Sequence, residues 1–325
     1  MATDSLGLQP LGLQPLGLFG IPLAILAGTL RGSAPFLFVS LGECITEKSG
    51  KINLGLEGTL LMGAMSAYAV SYLSAPVVGA FWAPWLGVFA AGLAGMALGA
   101  IHGWLSQQPR VNDVATGIAM IIFGSGLAFF LGKPFIQPQA PQLFTFEWGA
   151  WSELPQLQAA LRVSPLFLLG IAIAPLLQWF FRSTRWGLYV RAVGDSPQAA
   201  RAMGISPFRV RMWSIMAGSF LAGIGGACLS LYYPGVWTER VSSGQGLMAV
   251  ALVIFARWSP VQCLWASMLF GGAQAVGPAF QAVGVEGYRY LFNAAPYFLT
   301  LLIMVVTCSP QRSLVGSPGA LGRGE

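Results

Sequence analysis

Apolar runs of about twenty residues, parted by short polar stretches, set the pattern of this chain, and a run that long crosses the roughly 30 Å hydrocarbon core of a bilayer as a helix. Gly20–Leu30 and Ala34–Cys44 are apolar but are interrupted by Arg31-Gly32-Ser33 and Pro35, so an interfacial piece followed by a short span is expected. Gly58–Leu73 predicts a span ended by Ala75-Pro76, and Pro84 opens another that runs to Leu105. Further spans are predicted over Val114–Leu131, Pro165–Phe181, Met212–Tyr233, Val261–Ala282 and Tyr290–Cys308. Leu247–Ala256 is too short to cross as a helix, yet the turn Arg257-Trp258-Ser259-Pro260 follows it, which predicts a short or discontinuous helix. The fold class is therefore all-α, a polytopic helical membrane protein with about eight to ten transmembrane segments. Residues 1–32 read as a flexible or interfacial lead-in, 33–308 as the transmembrane domain, and the Gly/Ser/Pro-rich 309–325 as a disordered cytoplasmic tail.

Composition agrees with this reading. Hydrophobic residues make up 55% and charged residues 9%, against about 25% charged in a soluble domain. The 42 glycines suit closely packed spans. The net charge of +6 does not point to nucleic acid, because topology accounts for it. Lys48, Lys51, Arg110, the six arginines of Arg182–Arg211, Arg257, Arg312 and Arg323 fall on one side. Lys133, Arg162, Arg240 and Arg289 fall on the other, and the richer side is cytoplasmic. The polar segment Lys133–Ser164, with Trp148 and Trp151, then lies at the outer surface, as does the loop Pro234–Gly246. The opening LGLQPLGLQPLG has neither a positive n-region nor an A-x-A site, so it is not a cleavable signal. Cys44, Cys228, Cys263 and Cys308 are scattered and read as packing residues. His102, without nearby ligands, makes no metal site.

Two polar stretches carry the candidate chemistry. The first is RSTRWGLYVRAVGDSPQAARAMGISPFRVR, residues Arg182–Arg211. Ser196 can cap a helix, Pro197 suits its first position, and Gly204 suits the position past its end. A short helix over Pro197–Met203 is predicted on the cytoplasmic face. The loop is either a solvated, topology-setting segment or a docking element. The second stretch is GECITEKSGKINLGLEGTLLMGA. Glu43, Glu47, Lys48 and Lys51 are expected outside the hydrocarbon. Asn53, Gly55, Glu57 and Gly58 stand at the mouth of a span, where glycines permit unwound backbone lining a cavity. Glu57 either faces a transport route or caps its own helix. Asn53, Glu57 and Gln245 are the candidate pathway residues. No Gly-x-x-x-x-Gly-Lys-Ser/Thr loop is present, acids and histidines do not cluster as a membrane enzyme would need, and the predicted span middles are nearly free of charge. The chain thus reads as a pore without an energy source of its own.

These residues resemble a known group. GECITEKSGKINLGLEGTLLMGA and RWGLYVRAVGDSPQAARAMGISPFRVR resemble the permease subunits of bacterial ABC importers in the branched-chain amino acid and simple-sugar group. YPGVWTERVSSGQGLMAVALVIFARWSP is similar to the branch that handles nucleosides and simple sugars. The resemblance runs from about Ala34 to Cys308. It implies a multi-pass protein of the bacterial plasma membrane, surrounded by membrane lipid, that carries a nucleoside-like or sugar-like solute and is not itself an enzyme. It also implies that Asp195, Ser196, Pro197, Ala199, Ala200, Arg201, Met203 and Gly204 form a coupling segment that docks on an ABC ATPase. The implied partners are the ATPase subunits, a second permease (the same chain or a paralogue) and an extracytoplasmic solute-binding protein. ATP and Mg would be bound by the ATPase, with no cofactor in this chain. The alternatives are an importer of branched-chain amino acids or another small polar solute, and a self-sufficient secondary transporter.

Overall fold

The computed structural model describes residues 20–149, 151–152, 157–158, 161–282, 294–307 and 316–321. The first helix, α1 (Gly20–Lys48), is a single helix of 29 residues, not an interfacial piece and a short span. The expected boundary at residue 32 therefore falls inside a membrane helix. Pro35 is accommodated because tertiary packing outweighs one lost hydrogen bond: residues 32–47 are buried, and Gly32 lies against Gly271. The repeat at 1–19 lies outside the described residues.

The segment 49–55 is not helical, and α2 (Leu56–Leu105) begins only after it has turned back into the protein. α2 folds back on itself at Gly79, whose φ of 81° and ψ of 160° no helix interior has. Close approach of Gly87 to the Ala67 carbonyl identifies the two halves as an antiparallel pair, in line with the two spans expected around Pro76 and Pro84. Then follow α3 (Asp113–Gly132), capped by Asn112, and a polar segment whose strands β1 (Phe146–Glu147) and β2 (Arg162–Val163) pair antiparallel. α4 (Pro165–Ser183) is capped by Ser164.

The basic loop contains two helices, not one. α5 (Arg185–Asp195) buries Gly187, Val190, Val193 and Gly194, while α6 (Pro197–Ala202) is the short helix that the Ser-Pro signal predicts. α7 (Pro207–Leu231) follows and is the most buried of the long spans. It is packed between α1 and α2 through small residues, as spans without a hydrophobic drive between them require. A Cβ on Gly223 would sit 2.1 Å from the Ala91 carbonyl, and one on Gly42 would sit 2.2 Å from that of Gly218. α8 (Gln245–Phe255) is the short helix expected after the outer loop, with α9 (Pro260–Ala282) running antiparallel to α1 and α10 (Ala295–Thr307) the last described helix.

Residues 316–321 differ from the expected disordered tail. Ala320 N donates to Gly194 O at 2.8 Å, and Ala320 and Leu321 pack against the protein.

Candidate functional site

The site is built where two helices start inside the bundle. The link 49–55 climbs from the basic face, held at three points. Arg211, buried and not solvated like most of its neighbours in the loop, donates from Nε to Ser49 O at 3.2 Å. Lys51 Nζ pairs with Asp113 at 2.9 Å and donates to Ser106 O. Asn53 is 1% exposed: its N–H donates to Glu43 Oε1 at 2.8 Å, its Nδ2 to Ser219 Oγ at 3.2 Å, and its Oδ1 accepts from Gly55 N. Asn53 therefore fixes the re-entrant backbone against α1 and α7.

Four residues on, Glu57 reaches across to α8. Its Oε1 accepts from Ser242 Oγ at 2.5 Å and from Gly244 N at 3.0 Å, and its Oε2 accepts from Gly246 N at 2.7 Å. A buried carboxylate with no ion pair among the described residues needs such donors. Here Ser242 supplies one from the loop before α8, and Gly244 and Gly246 supply two from the helix start, where the dipole also favours negative charge. Gly244 takes the left-handed φ of 82° that lets the loop present its N–H groups. Gly246 must lack a Cβ, since one would lie 2.6 Å from Glu57 Cα. Glu57 thus holds the start of α8, a helix other than its own.

Gln245, 9% exposed, sits at that start. Its Nε2 donates to Gln274 Oε1 at 3.4 Å, and its Oε1 has no hydrogen-bond partner among the described residues. Both glutamines line a cavity of about 420 Å³ between α1, α8, α9 and α10. Asn53 and Glu57 stand behind this wall and do not line it.

At the inner end of α8, Trp258 donates from Nε1 to Glu47 Oε2, and Cys44 Sγ donates to Trp258 O. Glu43 and Glu47, expected outside the hydrocarbon, are buried within the protein. Each meets a donor from a neighbouring segment, Asn53 N or the Trp258 indole, and no periodicity reveals such a donor. Trp237 lies in the loop before α8, as expected. It is 1% exposed and its indole donates to Gly132 O.

On the basic face, Ser196 Oγ accepts from Ala199 N, and Gly204 takes φ 78° just past α6. Ala199, Arg201, Met203 and Gly204 are exposed, as is Asp195. Pro197 is buried, and Ala200 is fully buried among Ile45, Phe181, Val190, Val193 and Val210. The segment therefore has an outward face and an inward face. Gly194, just before it, abuts the Lys48 carbonyl: a Cβ there would lie 2.1 Å away.

No cluster of three or more metal-ligating residues occurs among the described residues. A helical membrane bundle with discontinuous helices meeting beside a polar cavity is the architecture of a transport protein. The chain belongs to the family described as the permease component of the branched-chain amino acid transport system, whose model matches residues 25–308. Its relatives include a permease of Haloferax volcanii named provisionally for a glucose ABC transporter, 34% identical over 76% of this chain and 74% of its own length. A guanosine ABC transporter permease of Bacillus subtilis is 29% identical over 86% of this chain and 90% of its own length. A nucleoside ABC transporter permease of Lactococcus lactis is 28% identical, with 87% of this chain and 91% of the relative covered.

Proposed function

We infer that this chain is the transmembrane permease subunit of an ATP-driven importer for a nucleoside-like or simple-sugar solute, in the plasma membrane. The relatives named for nucleosides, guanosine and glucose support the solute class. ATP and Mg are held by separate ATPase subunits that dock on the exposed face of Asp195–Gly204. A second permease and an extracytoplasmic solute-binding protein complete the assembly.

One observation carries the coupling mechanism: a run of contacts from the end of α5, just before the docking helix, to the start of α8. Gly194 rests on Lys48 and Gly50. The link from Ser49 is tied to α7 by Arg211 and to α1 by Asn53, and it ends at Glu57, which grips Ser242, Gly244 and Gly246. Closure of the ATPases displaces α6, and the stiff link carries that displacement to the helix start where Gln245 lies. Asn53 and Glu57 act as positioning residues, and Gln245 faces the solute.

The test is uptake into liposomes by this chain assembled with its ATPase, binding protein and second permease. Uptake that requires ATP and is lost in Ala199→Asp supports the reading. ATP-independent uptake by the chain alone overturns it in favour of a secondary transporter.

A further inference from the structure

One face of α1 carries a buried polar stripe. Ser40, Glu43, Cys44 and Glu47 recur at helical spacing, and all four are buried. The two acids are four residues apart, the spacing at which helical side chains meet, and their carboxyl groups face each other. Glu43 is 0% exposed and Glu47 1%.

Each carboxyl has one oxygen held from a different direction. Glu43 Oε1 accepts from Asn53 N, in the re-entrant link, at 2.8 Å. Glu47 Oε2 accepts from the Trp258 indole, in the turn between α8 and α9. The other two oxygens, Glu43 Oε2 and Glu47 Oε1, meet no donor among the described residues. Neither acid has an ion pair among them. The neighbouring cations are engaged elsewhere: Lys48 lies over the Phe181 ring, Lys51 pairs with Asp113, and Arg211 donates to Ser49 O. Arg257 is exposed. The titratable groups that do face the pair are thiols, Cys44 on α1 and Cys263 on α9, and neither brings a positive charge.

Two carboxylates sealed from water, side by side and without a cation, repel across a medium that screens little. One hydrogen removes the conflict. It cancels one charge and turns one stranded oxygen into a donor to the other, so all four oxygens are satisfied at once. Paired carboxyl groups in other proteins resolve the same conflict in this way.

The segments that the pair holds need holding. Arg257 and Trp258 take left-handed φ values of 49° and 54°, which residues with a Cβ keep only where their surroundings impose them. Trp258 is fixed twice, by its indole on Glu47 and by Cys44 Sγ, which donates to its carbonyl at 3.2 Å. Asn53, on the other side, begins the run that ends at Glu57 and the start of α8. The pair therefore clasps both approaches to α8, the link that reaches its first turn and the turn that leaves its last.

We propose that Glu43 and Glu47 form a proton-binding site, sharing one proton that fastens the re-entrant link and the α8–α9 turn to α1, and that transport requires this proton in place. The shared proton is a property of the chain by itself. Its consequence for transport rests on the permease reading above.

Infrared spectroscopy of the full chain in lipid tests the proton. At neutral pH the parent shows the carbonyl stretch of one protonated carboxylic acid, shifted after exchange into deuterium oxide. The band is lost in Glu43→Gln and in Glu47→Gln, where the carboxamide N–H takes the proton's place beside an ionised partner. The parent's own titration needs no variant: the band disappears in one step as pH rises. Absence of the band in the parent, or its survival in either variant, overturns the proposal. In the assembled transporter in liposomes, ATP-driven uptake by the parent is divided by that of Glu47→Gln from about pH 6 to about pH 10. The ratio falls on the alkaline side, approaching about tenfold per pH unit, the slope of a single proton. Should Glu47→Gln fail to assemble, Glu43→Gln supplies the same ratio. A ratio that stays level while the band disappears overturns the role in transport. Uptake that needs no ATP strikes the permease reading and leaves the infrared result standing.

Discussion

Replacing Glu57 by Gln tests whether the carboxylate holds α8. The two side chains have the same shape, so no cavity forms. Glu57 accepts three hydrogen bonds, two at Oε1 and one at Oε2, whereas a carboxamide can accept at its oxygen only. The best fit keeps Ser242 and Gly244 on the oxygen and turns the amide nitrogen toward Gly246 N. One charge-assisted bond, worth about 1.5–3 kcal/mol, is then replaced by two facing donors. Loss of the anion at a helix start removes a further 0.3–1 kcal/mol or so. The sum, about 2–4 kcal/mol, lowers the melting temperature by roughly 4–8 °C at about 2 °C per kcal/mol. The assay is thermal loss of the monodisperse peak in detergent, alongside ATP-driven uptake. Both are expected to fall together, because a loosened α8 displaces Gln245. A variant that melts like the parent yet transports nothing would refute the tether and give the carboxylate a direct role in the route.

Three further outcomes follow from the packing and the inner face. Gly223→Ala forces a Cβ to within 2.1 Å of the Ala91 carbonyl and costs about 1–3 kcal/mol, read as a lower melting temperature. Ala200→Asp buries a charge among Ile45, Phe181 and Val193 and should deplete folded protein, whereas Ala199→Asp on the exposed face leaves the fold intact and removes ATPase copurification. Deleting residues 316–325 removes the Ala320–Gly194 hydrogen bond and loosens the packing at the end of α5, just before α6. The expected result is a smaller ratio of solute-stimulated to basal ATP hydrolysis in an assembled transporter.

Much of the helix pattern was legible because spans obey a length rule. Pro76 and Pro84 bracketed the reversal at Gly79, and Ser196-Pro197 marked the start of α6. The break in α1 was not real, because a bilayer-spanning helix tolerates Pro35 when neighbours bury the turn around it. α5 was missed because its small inward residues, Gly187 and Gly194, argue against a helix by propensity alone.

At the site, the sequence singled out Asn53, Glu57 and Gln245 but could not sort their tasks. Asn53 meets Ser219 and Glu57 meets Gly246 across 166 and 189 positions. Such pairings leave no local signal. Gln274 and Tyr297 were passed over for a related reason: uncharged polar residues in apolar runs stand out only when the fold turns them toward one cavity.

The proposed coupling of α6 to an ATPase would drive a nucleoside-like or sugar-like solute inward. It is tested most directly by solute-stimulated ATP hydrolysis in liposomes containing the chain, its ATPase, its binding protein and its second permease. Hydrolysis that rises with a nucleoside or glucose, and no longer does so in Ala199→Asp, is the predicted result. Hydrolysis indifferent to both the solute and the substitution would contradict it.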